Sequence, residues 1–185
     1  MSKRPFTECS NKRKDLDDLY ITPESCILPL LKIEKFEGKG WEPASGTGAI
    51  AKHFPGIMAS DIKTDDFVYG YKGIDFLWKV HTPREEVDFI VTNPPFKLAL
   101  AFLKQSLAFS RFKVALFLRI QFMTGKERVE FLRKNPPIRI HVFVGRPSCL
   151  NLEGKTLGTG MNFAWFIWEK GFKGKPTIDW LDEEV

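Results

Sequence analysis

Short apolar runs along this chain alternate with stretches in which apolar positions recur at helical spacing. Between Pro23 and Phe36, the residues Ile27, Leu30, Leu31 and Phe36 mark one face of a helix; Thr22 is placed to cap it and Pro23 suits its first turn. A short strand is expected to end at Trp41–Glu42, a helix to cover Gly48–Phe54, and a strand Gly56–Ser60 to end in Asp61. A third short strand precedes Asp75. Asp88–Thr92 reads as a buried strand running into Asn93, followed by a periodic helix Leu98–Phe112 and a strand Lys113–Leu118. Glu127–Lys134 predicts a helix stopped by Asn135-Pro136-Pro137, then a strand Ile138–Val144 and an aromatic, β-prone stretch Asn162–Trp168. This alternation predicts an α/β fold: a mostly parallel, doubly wound sheet with helices on both faces.

At 185 residues the chain fits one domain, expected over 18–185 behind a basic arm 1–17. The arm reads either as a plain mobile terminus or as a phosphate-contacting tail. A net charge of +5 favours an anionic partner without naming one. Cys9, Cys26 and Cys149 are odd in number and lack metal-ligand spacing, so neither a disulfide framework nor a metal centre is expected. No apolar run is long enough for a membrane span, and Met1–Asp18 lacks the apolar core of a signal peptide. Cytoplasm is the default expectation. The polar, glycine-rich loop Gly145–Gly160 is long enough to be functional or mobile.

The first segment with chemical content is Glu42-Pro43-Ala44-Ser45-Gly46-Thr47-Gly48, between a strand and a helix. Glycines there allow a sharp turn and a close approach to a ligand. A dinucleotide site fits poorly, because four residues separate the strand from Gly46 and Glu42 repels a pyrophosphate. The same acid suits a ligand carrying an ammonium and a sulfonium. Asp61 offers two acceptor oxygens to the paired hydroxyls of a ribose, and Asp75 offers one to an adenine amino group, with Phe76 against the ring. Each also has a plain reading as a strand-end or turn aspartate.

The sharper signal is Asn93-Pro94-Pro95-Phe96 directly after the buried strand. Two prolines fix the backbone, remove two N–H donors and leave carbonyls outward. The Asn93 side-chain oxygen and the Pro94 carbonyl can each accept one hydrogen of a planar amino group, and Phe96 can stack on a base turned out of its helix. The chain carries its own control: Asn135-Pro136-Pro137-Ile138 follows a charged helix, lacks the aromatic and reads as a helix stop.

Together these residues resemble the nucleic-acid amino-methyltransferases, in particular the small phage- and prophage-type DNA N6-adenine methyltransferases. The resemblance extends to Asp18-Leu19-Tyr20-Ile21-Thr22-Pro23, which is similar to the family's N-terminal cofactor segment, and to Phe163–Trp168, similar to its closing strand. It implies a Rossmann-like, seven-stranded sheet whose last strand is antiparallel. It also implies S-adenosyl-L-methionine as cofactor, held by Tyr20, Thr22, Pro23, Glu42, Pro43, Ala44, Ser45, Gly46, Gly48, Asp61, Ile62, Asp75, Phe76 and Asn93. Asn93, Pro94, Pro95 and Phe96 become the catalytic set, and DNA the partner. No separate target-recognition domain fits, so base contacts fall to Arg119–Lys126 and Arg146–Gly160. Asn93–Phe96 alone does not choose between adenine in DNA, a base amino group in RNA and a protein glutamine amide. A non-catalytic nucleic-acid-binding module is the alternative of another class; an intact Asn93 and glycine loop speak against it.

Overall fold

The computed structural model describes residues 20–78, 86–156 and 161–182. The basic arm, Asp18–Leu19 and the end of the Gly145–Gly160 loop lie outside the described residues. Within them, eight strands form one sheet in the order β3-β2-β1-β4-β5-β7-β6-β8. The strands are β1 (Gly40–Glu42), β2 (Met58–Asp61), β3 (Tyr71–Lys72), β4 (Val87–Thr92), β5 (Ser110–Arg119), β6 (Arg139–Phe143), β7 (Phe163–Glu169) and β8 (Thr177–Leu181); the helices are α1 (Glu24–Ile33), α2 (Ala99–Phe109) and α3 (Lys126–Lys134).

Strand alternation sorts the core. Phe89 and Val91 of β4, Ala115 and Phe117 of β5, and Phe163, Trp165 and Ile167 of β7 share one cluster with Cys26, Ile27 and Leu30 of α1. On the opposite face, Val114, Leu116, Leu118, Ala164, Phe166 and Trp168 meet Ala99 and Leu103 of α2 and the flank of α3. Helices therefore cover both faces, as the periodicity predicts. The Trp165 indole N–H donates to the Cys26 carbonyl (2.7 Å) and pins α1 to the sheet.

The expected seven strands with an antiparallel last one are corrected. The sheet has eight, its antiparallel strand is β7 between β5 and β6, and β8 follows it running parallel to β6. β8 covers a β6 edge whose backbone groups would otherwise lack partners. Only Leu181 of it is buried, so no apolar run announced it. The helix expected over Gly48–Phe54 is a single 3-10 turn at Ala51–His53, since Gly48 has φ 76° and Phe54 is held extended before Pro55. The helix expected to reach Phe112 ends at Phe109, because Ser110 already pairs with Val87. Thr22 is not the cap of α1. That position falls to Pro23, which makes no side-chain cap bond.

One polar cluster fastens the sheet. Glu34, 5% exposed just past α1, accepts hydrogen bonds from Lys113 (2.8 Å) and Arg139 and contacts His141 Nε2 (3.1 Å). Burial raises the Glu34 pKa, but the hydrogen bonds from His141, Arg139 and Lys113 outweigh it and hold the carboxyl at about 2. Because the folded value lies below the ordinary 4.5, the stabilisation is full above that value and is lost as pH falls towards about 2. Glu34→Gln is expected to cost about 2 kcal/mol near neutral pH, since it leaves the half-buried Lys113 and Arg139 short of their counter-charge. Thermal melts across the acid range check this: wild type should lose stability faster than the variant, and parallel curves would refute the assignment.

Candidate functional site

β1, β2 and β4 are parallel neighbours, so their C-terminal ends lie side by side. Crevices outside such strand ends are where open α/β sheets bind ligands. Here the ends carry Glu42, Asp61 and Asn93, and they border one cavity of about 200 Å3. Tyr20, Thr22, Pro43, Ala44, Ser45, Gly46, Ile62, Asp75 and Phe76 line it as well. Of the residues picked from sequence, Pro23, Gly48, Pro94 and Phe96 do not line it. Ile21, Lys63, Ile74, Leu77, Leu98 and Phe102 do, and sequence reasoning missed them. The apolar ones carried no signal beyond ordinary core patterning.

The glycine loop is built around Asp61. Its Oδ2 accepts from the Gly46 N–H (2.8 Å) and its Oδ1 from the Lys63 N–H (2.9 Å). Each oxygen keeps a second lone pair for a further donor. Gly46 and Gly48 both have positive φ, and a Cβ on Gly48 would come within 2.4 Å of the Tyr69 ring. Tyr69 is thereby seated on the loop, its carbonyl accepting from the Ser45 hydroxyl (2.7 Å). Asp75 Oδ1 accepts from the Leu77 N–H (2.9 Å), while Phe76 is 2% exposed and packs edge-on to Trp41 with ring centroids 4.9 Å apart.

Glu42 is 1% exposed, and its Oε2 is buried without a hydrogen-bond partner among the described residues. Burial pushes its pKa well above the carboxylate range; a hydrogen bond from the Ala51 backbone opposes this, and the nearby Asp61 charge adds to it. A buried acceptor of this kind calls for a donor or cation from outside the chain.

Asn93 is oriented without ambiguity. Its side-chain Nδ2 donates to the Tyr20 carbonyl and to the Thr22 hydroxyl, both at 3.0 Å. A carbonyl only accepts, so the amide nitrogen must face Tyr20 and Oδ1 is left as the outward acceptor. The hydroxyl expected to cap α1 thus serves Asn93 instead. Phe96 lies beyond, against Tyr20 and Phe163 at centroid distances of 5.2 and 5.8 Å, with the Arg119 guanidinium 4.0 Å above its ring. Asn135, in the second Asn-Pro-Pro, does close a helix: its Nδ2 donates to the Phe131 carbonyl (3.2 Å).

No family model matches the chain, and no curated protein matches it in sequence. Solved structures do match it in three dimensions. A methyltransferase subunit of a type I restriction-modification system from Streptococcus thermophilus superposes with a TM-score of 0.62 at 13% identity, over 88% of this chain and 47% of that one. The chain shares the methyltransferase fold. A putative class I S-adenosylmethionine-dependent methyltransferase from Listeria monocytogenes gives 0.55 at 16% identity, over 89% of this chain and 66% of that one. A predicted O-methyltransferase from Agrobacterium tumefaciens gives 0.57 at 14% identity, over 84% and 85%. The chain spans about half the length of the first neighbour and just under two thirds of the second. Such identities establish fold, and a fold can serve many acceptors.

Asp61→Asn sets an NH2 group against one of two backbone N–H donors. A loss of about 2 kcal/mol is expected from removing a charge-assisted, buried acceptor. Urea unfolding measures it; an unchanged midpoint would mean that Asp61 does not hold the loop.

Proposed function

We propose that this chain transfers a methyl group from S-adenosylmethionine to the exocyclic amino group of a nucleobase, namely N6 of adenine in DNA. The observation that carries the reading is the fixed Asn93 amide, whose Oδ1 is presented at the end of a buried strand beside the cavity. The cavity suits the cofactor: an orphaned Glu42 oxygen answers its ammonium, Asp61 retains lone pairs for its ribose, and Asp75 lines the same cavity where its adenine would lie. When bound, S-adenosylmethionine supplies a methyl group already activated by a sulfonium. The chain's task is therefore alignment.

Asn93 Oδ1 accepts one hydrogen of the amino group. The Pro95 carbonyl is engaged by the Leu98 N–H (2.8 Å), which leaves the Pro94 carbonyl as the second acceptor. These bonds hold the nitrogen lone pair in one direction and raise its electron density. The surplus proton leaves the nitrogen afterwards, so no strong base has to act first. DNA as substrate is supported by the net charge of +5, and a restriction-modification subunit stands among the structural neighbours.

Asn93→Ala should lower the methyl-transfer rate at least a hundredfold or so, as expected for losing one oriented contact in a dry site. Cofactor affinity should change far less. The paired control Asn135→Ala should turn over near the wild-type rate while losing some helix stability. Labelled cofactor incubated with DNA, RNA and protein, followed by nucleoside and amino-acid analysis, reads both rate and acceptor. Loss of turnover in Asn135→Ala with Asn93→Ala unaffected would place the active site elsewhere.

A further inference from the structure

A second cavity, of about 260 Å3, opens on the far side of the Asn93–Phe96 stretch. Phe96 and Phe122 form its aromatic walls, and Lys97, Arg119, Gln121 and Arg128 its polar lining. Three cations thus converge on one space. Among the described residues no carboxylate forms an ion pair with any of them. Glu127, next to Arg128 in sequence, is engaged by Lys104 at 3.0 Å.

Each guanidinium rests on an aromatic ring in place of an anion: Arg119 lies 4.0 Å from the Phe96 centroid and Arg128 5.8 Å from that of Phe122. The Arg119 Nε is buried and has no hydrogen-bond partner among the described residues. Cations that line one cavity repel one another, and an unpaired buried donor is costly, so the arrangement is stabilised by an incoming anion with several acceptor oxygens. Arginine's planar fork matches a phosphate in this way. Arg119 also occupies the ring face on which a base would stack, so a nucleotide arriving there must draw the guanidinium aside.

The geometry points to a phosphodiester site. Lys97, Arg119 and Arg128 grip a backbone phosphate beside the nucleotide to be modified, and Arg119 moves from the face of Phe96 onto that phosphate as the base takes its place. This rests on the proposed methyl transfer to a nucleobase and adds the group by which a polynucleotide is told from a protein amide. Arg119 is a positioning residue: it touches the backbone, not the reacting nitrogen.

Binding is tested without turnover, on the full chain, by the anisotropy of a fluorescein-labelled DNA oligonucleotide. A methylphosphonate oligonucleotide of the same sequence keeps the bases and removes the charge. Inorganic phosphate serves as competitor. Arg119→Gln and Arg128→Gln should each weaken DNA binding about tenfold at fixed ionic strength and reduce the salt slope by about one. Cofactor affinity should be unchanged, and Arg119→Lys should recover part of the loss. Lys175→Gln, which removes the same charge from a different groove, should have a smaller effect. Wild type should bind the neutral oligonucleotide poorly, and phosphate should compete only weakly.

Should the arginine variants match Lys175→Gln, or the neutral oligonucleotide bind as well as DNA, the site is overturned even if DNA is methylated. Competition by phosphate at the affinity of DNA would also overturn it, in favour of a free-anion site. Arginine-dependent DNA binding with no methylation of DNA would uphold the site and sink the functional reading instead. Arg128→Gln keeps the test open if Arg119→Gln fails to fold.

Discussion

The central strands of this sheet are buried on both faces, and that constraint decides where chemistry can sit. β5 runs Val114-Ala115-Leu116-Phe117-Leu118 and β7 runs Phe163-Ala164-Trp165-Phe166-Ile167, all essentially without exposure. A polar group within those runs must find its partner in the covering helices, as the Trp165 indole N–H does at the Cys26 carbonyl. Functional polar groups are therefore displaced to the strand ends, where backbone N–H groups and loops can satisfy them. Three parallel strands ending together bring Glu42, Asp61 and Asn93 to one edge.

At that edge the fold spends hydrogen bonds on orientation. Asp61 holds the Gly46 amide, which fixes the loop; Asn93 holds Tyr20 and Thr22, which closes the N-terminal segment over the same cavity. These links join residues 15 and more than 70 positions apart in sequence. A side chain used in this way has its remaining lone pairs aimed by the same bonds that fasten it, so scaffold and ligand site are one set of contacts.

Much of this was legible from spacing. A strand followed at once by Asn93-Pro94-Pro95-Phe96 and a glycine loop opening with an acid are local patterns, and both fall where the sequence places them. The two Asn-Pro-Pro copies were separable because Asn135 follows a charged helical face and Asn93 a buried strand. What escaped was non-local. β8 gave no core signal because four of its five residues are exposed, and the use of Thr22 depends on where Asn93 arrives from the other side of the cavity. Arg119 heads a segment already expected to contact bases; its seat on the Phe96 ring is set by the fold alone.

The two edges of the sheet divide the work. Lys113 lies in the first half of β5, Arg139 starts β6 and Glu169 ends the antiparallel β7, so the ionic cluster around Glu34 lies at the edge opposite Asn93. There nearly every charge has a partner. At the other edge Glu42 keeps an orphaned oxygen and Arg119 an orphaned Nε, each costing on the order of 1–3 kcal/mol. Marginal stability leaves room for such groups only if the rest of the molecule is well satisfied. The Glu34 cluster supplies part of that margin at the opposite strand ends, where strengthening it does not close the cavities. Ion pairs gathered at one set of strand ends, and an acid and an arginine short of partners at the other, are what a protein built to receive a ligand at the second requires.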